Sequence, residues 1–154
     1  MNRRTISEST YNNVINKIPP KIISMLPEEP KRLLQYATRV NEIKFSKGIS
    51  DEVKELMKKY WLSDEEYLIT FYFVMAFSFY MKKAIQNPKL ELVSAQTGSG
   101  KSNLTAKILR EDENFVFVDS DKYKHFRYDA IEISKKYPLV YAFLTAPDRI
   151  WFSR

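Results

Sequence analysis

The residues with the clearest chemistry lie together in the middle of the chain: Ala95-Gln96-Thr97-Gly98-Ser99-Gly100-Lys101-Ser102. They follow the phosphate-loop pattern G-x-x-x-x-G-K-[ST] at every position but the first, where alanine stands for glycine. Gly98 and Gly100 permit backbone conformations that aim consecutive N–H groups at a phosphate. Lys101 supplies a positive charge for the outer phosphates, and Ser102 carries a hydroxyl able to ligate magnesium. Gln96, Thr97, Ser99 and Asn103 complete the set expected to surround a bound nucleotide. A glycine-rich turn with one lysine also describes a plain surface loop. What separates the two is context: an apolar run leads directly into this loop and a helical pattern leads out of it, so a helix dipole would add its positive end to the site. Ala95 keeps the side chain minimal and removes no phosphate ligand.

A second group of chemical residues follows the apolar run Phe115-Val116-Phe117-Val118, which ends in Asp119-Ser120-Asp121. If the run is a strand, its carboxyl end lies on the same sheet edge as the loop, where α/β folds gather their ligands. Period-two alternation sends both carboxylates the same way. Asp121 is the candidate to accept a proton from an attacking hydroxyl, and Asp119 the candidate to steady magnesium or the loop lysine. Acidic residues also commonly end strands and open turns for purely structural reasons.

The elements that must position these groups begin at Asn87-Pro88, where the pattern changes. Residues 90–94, Leu-Glu-Leu-Val-Ser, have strand character between a proline and the glycines. Residues 103–110 read as a helix with Leu104, Ile108 and Leu109 on one face, and residues 115–118 as a second strand. Strand, loop, helix, strand makes an α/β unit with parallel strands. The tail reads as helix over 128–136 and again from Leu139, interrupted at Pro138 and Pro147. Its basic residues Arg127, Lys135, Lys136 and Arg149 read as solvated helix faces.

The preceding part reads as all helix. A short helix is expected over residues 5–17, with a cap at Thr5 and Glu8, before Pro19-Pro20. A brief apolar stretch over 21–26 stops at Pro27 and Pro30, and helices follow over 31–40 and, behind Ser50, over 51–60. Residues 67–81, YLITFYFVMAFSFYM, are a run of fifteen mainly apolar residues, against the roughly twenty that span a bilayer. Ser63-Asp64-Glu65-Glu66 in front makes a capping box and Lys82-Lys83 behind suits the negative end of a helix dipole. A buried core helix is the expectation, with a membrane or partner-facing helix as the competing reading.

With 44% hydrophobic and 29% charged residues, the chain has the apolar material for a packed core. It has no cysteine and one histidine, His125, which excludes disulfides, thiolate zinc sites and cysteine nucleophiles. The start, Met1-Asn2-Arg3-Arg4-Thr5, lacks the apolar core of a secretory signal, so a cytoplasmic location is expected. A net charge of +6 suits an anionic partner but is spread along the chain, as on any solvated basic surface. No helix-turn-helix signature accompanies it, so nucleic acid is not the expected partner.

From Leu90 onward the sequence resembles the zeta toxins, kinases of UDP-N-acetylglucosamine, through AQTGSGKSNLTAKIL followed by FVFVDSDKYK. The resemblance implies a P-loop fold that uses ATP and Mg2+, with Lys101 on phosphate, Ser102 on the metal and Asp121 as the base that activates the sugar hydroxyl. It also implies the nucleotide sugar as second substrate and an antitoxin protein as a candidate partner. Where the family has His-Pro after its basic residue, this chain has Lys124-His125-Phe126-Arg127.

The fold expected is therefore α/β: an incomplete P-loop-type parallel sheet over 87–154, preceded by an all-helical region over 1–86. In the family, further strands and phosphate-neutralising arginines follow the part resembled here. On that ground the chain is expected to be a truncated form that binds nucleotide weakly and transfers no phosphate. Competing functions are another small-molecule P-loop kinase or nucleotide hydrolase, or a binding module in which the helical region contacts a partner.

Overall fold

Ser63 and Glu66 satisfy each other's backbone: the Glu66 N–H donates to Ser63 Oγ at 3.2 Å and the Ser63 N–H donates to Glu66 Oε2 at 2.7 Å. This box starts the longest helix of the computed structural model, which describes residues 3–43, 45, 47–94, 98–118 and 123–144. In chain order the elements are β1 (Arg3–Thr5), α1 (Glu8–Val14), α2 (Pro20–Ser24), α3 (Pro30–Leu33), β2 (Thr38–Val40), α4 (Asp51–Lys59), α5 (Asp64–Phe79), α6 (Lys101–Glu111), α7 (Ala130–Lys136) and α8 (Pro138–Leu144). Short 3-10 turns at Ile15–Lys17 and Leu34–Tyr36 extend α1 and α3.

Helix α5 is apolar around most of its circumference, as a helix enclosed by its neighbours should be. Leu68, Phe71, Tyr72, Val74 and Ala76 are all buried, on more than one face. Ile6, Val14, Ile18 and Leu33, from the elements before it, close over one side. Its tyrosines stay buried because their hydroxyls find backbone acceptors: Tyr67 donates to the Thr38 carbonyl at 2.6 Å and Tyr72 to the Pro30 carbonyl at 2.8 Å. Burial pushes the Tyr72 hydroxyl pKa well above its ordinary value. No helix among the described residues is long and apolar enough to cross a membrane.

A second core joins Met57 of α4 to Ile133, Val140 and Leu144 of α7 and α8. It therefore draws on residues from both sides of Asn87.

Several expectations are corrected. The first part is not all helix: β1 and β2 pair antiparallel, Arg4 opposite Arg39, and the helix expected over 31–40 loosens after Leu33 so that Thr38–Val40 can take this partner. The α1 cap is Ser7, whose Oγ accepts from the Thr10 N–H at 3.1 Å, because Thr5 is engaged in β1. The break expected in the tail is present, with one helix ending at Lys136 and the next starting at Pro138 itself, as Pro20 and Pro30 open α2 and α3; the first turn needs no N–H donor there.

The parallel sheet is the largest difference. Residues 90–94 and 115–118 form no strand and no strand pairing among the described residues. Leu90 and Leu92 are 81% and 85% exposed, while Glu91 and Val93 are half-buried, so the alternation survives without a ladder. A parallel pair requires both faces covered and neighbouring strands to share its hydrogen bonds. Just before residues 115–118 the Asn114 side chain bonds to Lys83: its Oδ1 accepts from the Lys83 N–H at 2.6 Å and its Nδ2 donates to the Lys83 carbonyl at 2.8 Å. The fold is mixed α and β, mostly helical, with one small antiparallel sheet.

Candidate functional site

Helix α6 begins one residue after a left-handed glycine. Gly100 is its N-cap at φ +86°, and Gly98 stands at φ +82° two residues earlier. An L side chain rarely adopts such φ values, so glycine is required here by conformation. It is not required by crowding, since nothing lies within 4 Å of where a Cβ would stand at either residue. The approach to this turn is open.

The turn reverses the chain into the helix at once: the Asn103 and Leu104 N–H groups already donate to the Gly100 carbonyl, at 3.0 and 3.2 Å. Thr105 is buried and donates through Oγ1 to the Lys101 carbonyl at 3.0 Å, which fixes the first turn from behind. Its neighbours on the packed side are the half-buried Ile108 and Leu109. Leu104, expected on that face, is 51% exposed instead. The six residues Gly98, Ser99, Gly100, Lys101, Ser102 and Asn103 are brought together at the helix start and all are exposed.

The early backbone N–H groups of a helix carry partial positive charge that attracts anions. An ammonium and a hydroxyl in the same turn make this donor set suited to a polyphosphate with a divalent cation: Lys101 for charge, Ser102 as an oxygen ligand. Among the described residues no group of three or more His, Asp or Glu side chains is placed to hold a metal ion, so any cation here would lean on phosphate oxygens and a few protein ligands. The other site residues read from the sequence, Ala95, Gln96, Thr97, Asp119 and Asp121, lie outside the described residues.

Sequence reasoning missed the groups that hold the segment after position 122. Tyr123 is buried, and its hydroxyl meets Ser78 of α5 at 3.3 Å. Ser78 shares the apolar run of α5 with Thr70 and two tyrosines, so its hydroxyl gave no signal that set it apart. Arg127, read as part of a solvated face, is buried: it pairs with Asp129 and donates to the Tyr60 carbonyl. Tyr128 donates to Glu66 Oε1 at 2.8 Å. Burial alone would raise the Glu66 carboxyl, but hydrogen bonds from the Ser63 backbone and from Tyr128 outweigh it and hold the pKa below the ordinary value. These bonds fasten the segment to α5 and to the end of α4.

Comparison with known proteins agrees with the motif. The family model described as Zeta toxin matches residues 77–154, half of the chain, and this span includes the glycine turn, α6 and Tyr123. No curated protein and no solved structure matches the chain. With the glycine turn, the lysine and the helix start inside the matched span, the chain belongs to the zeta toxin family.

Proposed function

We propose, against the expectation that the chain transfers no phosphate, that it is an ATP-dependent phosphotransferase whose acceptor is a hydroxyl of UDP-N-acetylglucosamine. The observation that carries the reading is the start of α6: two glycines at positive φ set an exposed lysine and serine on an open helix N-terminus, within a chain of the zeta toxin family.

In this reading the backbone N–H groups around Gly98–Lys101 and the Lys101 ammonium hold the β- and γ-phosphates, with Gln96, Thr97, Ser99 and Asn103 around them. Magnesium supplies charge neutralisation, held by the Ser102 hydroxyl with help from Asp119. Asp121 takes the proton of the sugar hydroxyl as its oxygen bonds to the γ-phosphorus. The bond to the β,γ-bridging oxygen breaks, and ADP leaves with the electron pair. Phosphoryl transfer asks the protein mainly for positioning and charge, which this set provides.

Labelled ATP, Mg2+ and UDP-N-acetylglucosamine test the acceptor and the base together. Asp121→Asn keeps the shape and takes no proton, so it is expected to lower phosphosugar formation by about a hundredfold with ATP affinity unchanged. Label released only as free phosphate would make the protein a hydrolase, and equal turnover in both forms would remove Asp121 as the base.

A further inference from the structure

Arg3 keeps two donors that meet no acceptor. Its Nε and Nη2 are buried without a hydrogen-bond partner, while Nη1 donates to Thr38 Oγ1 at 3.4 Å. Nε and Nη2 stand on one side of the guanidinium, as the fork that grips a carboxylate with two parallel bonds. A buried charged donor left unpaired is costly, so its presence calls for a partner. The surroundings supply none. Asp64 already takes Arg4 at 2.6 Å and Arg39 at 3.0 Å on the same oxygen, and Arg39 lies over the rings of Trp61 and Tyr67, at 5.3 and 5.1 Å. Of the next carboxylates on α5, Glu65 pairs with Lys17, and Glu66 accepts from the Ser63 N–H and from Tyr128. The guanidiniums of Arg3, Arg4 and Arg39 thus crowd a ribbon served by the single carboxylate of Asp64.

The ribbon also has an open side. Strands β1 and β2 make the whole sheet among the described residues. The Ile6 N–H donates to the Ala37 carbonyl at 3.0 Å, one step beyond the register pair of Thr5 and Thr38. Bonded and non-bonded pairs alternate along an antiparallel ladder, so Arg4 and Arg39 are the bonded pair, and the N–H and C=O groups of Arg3 and Thr5 turn to the outer edge of β1. Arg4 and Thr5 are exposed, whereas Arg39 and Val40 of β2 are buried. The edge of β1 is therefore the one a further strand can reach.

We infer that this edge docks an extended acidic peptide of a partner protein, which adds a third strand on the main chain of Arg3 and Thr5 and sets a carboxylate in the fork of Arg3. Arg3 is partly exposed as a residue, so its guanidinium can turn outward, and the turn gives up only the long bond to Thr38. Main-chain bonds supply the affinity and the charge selects the partner. A basic segment is disfavoured by the same excess of arginine. The inference is independent of the kinase reading, because none of these residues lies within the matched span 77–154.

A short fluorescent peptide of alternating glutamate and valine, titrated into the full chain and followed by anisotropy, tests the docking. Alternating glutamine and valine is the neutral control. The glutamate peptide is expected to bind saturably, at least about tenfold tighter than the control, and more weakly as salt is raised. Arg3→Gln should weaken that binding at least about tenfold without lowering the thermal midpoint, since it removes a charge the free chain leaves unsatisfied. Thr5→Pro, which deletes an outward N–H and none from the ladder to β2, should weaken it as well; Arg3→Gln decides alone if Thr5→Pro does not fold. No saturable binding, equal affinities for the two peptides, or an Arg3→Gln protein that binds like the wild type overturns the inference. So does an Arg3→Gln protein that melts well below the wild type, which would make Arg3 a structural residue. Displacement of the peptide by equimolar succinate would reduce the site to a small-anion pocket, and displacement by equimolar single-stranded DNA would make it a nucleic-acid surface; either result overturns the added strand.

Discussion

Arg127 and Asp129 each leave only 8% of the side chain exposed, and each charge is met by the other. Taking two ions out of water is costly, and their attraction offsets that cost only while both are present and fully bonded. Here the guanidinium also donates to the Tyr60 carbonyl, so the pair fastens the chain after Tyr123 to the end of α4. Asp129→Ala would leave a guanidinium buried without its carboxylate and should cost about 3–5 kcal/mol in urea unfolding. Replacing both with Met and Leu should recover most of that loss. An Asp129→Ala protein as stable as the wild type would mean that the pair is solvated. Sequence gave no sign of this burial, because a basic residue reads as solvated until its partner's place in three dimensions is known.

At the scale of the element, α5 is the scaffold. Its capping box, its apolar circumference and its two donating tyrosines each follow from residue types at fixed spacing. Val74 is 5% exposed near the middle of the helix, so Val74→Asp buries an unpaired charge and should destabilise the fold by about 4 kcal/mol. Thermal unfolding followed by circular dichroism measures it, and a variant within 1 kcal/mol of wild type would place Val74 on a solvated face. Such local signals explain what was legible: the box at Ser63 and Glu66, the cap at Ser50, and the glycine turn leading into α6. What was not legible depended on partners distant in sequence. Thr38–Val40 became a strand because Arg3–Thr5 lay beside it, and residues 90–94 kept strand-like alternation with no strand beside them among the described residues. The glycines and the lysine were likewise plain in the sequence, while Tyr123 and Ser78, forty-five residues apart, had no common local signature.

For the whole molecule, the second core matters most. Met57 is fully buried against Ile133, Val140 and Leu144, so the helices before Asn87 and those of the matched segment share one apolar interior. Residues that share a core unfold together. Met57→Ala should cost about 2–5 kcal/mol and lower the urea midpoint without changing the slope of the transition. Circular dichroism and tryptophan fluorescence should give coincident curves. Two separated transitions would show that the helical region and the matched segment are independent.

At the start of α6, Gly98 and Gly100 present Lys101 and Ser102 in an open turn. Calorimetric titration of ATP with Mg2+ into the wild-type chain and into Lys101→Ala measures this most directly. The lysine is the only charged side chain in the loop, so its loss should weaken binding at least tenfold, about 1.4 kcal/mol. Saturable binding by the wild type with that loss in the variant is the predicted result. Equal affinities in the two proteins would contradict the account and reduce the turn to an ordinary helix entry.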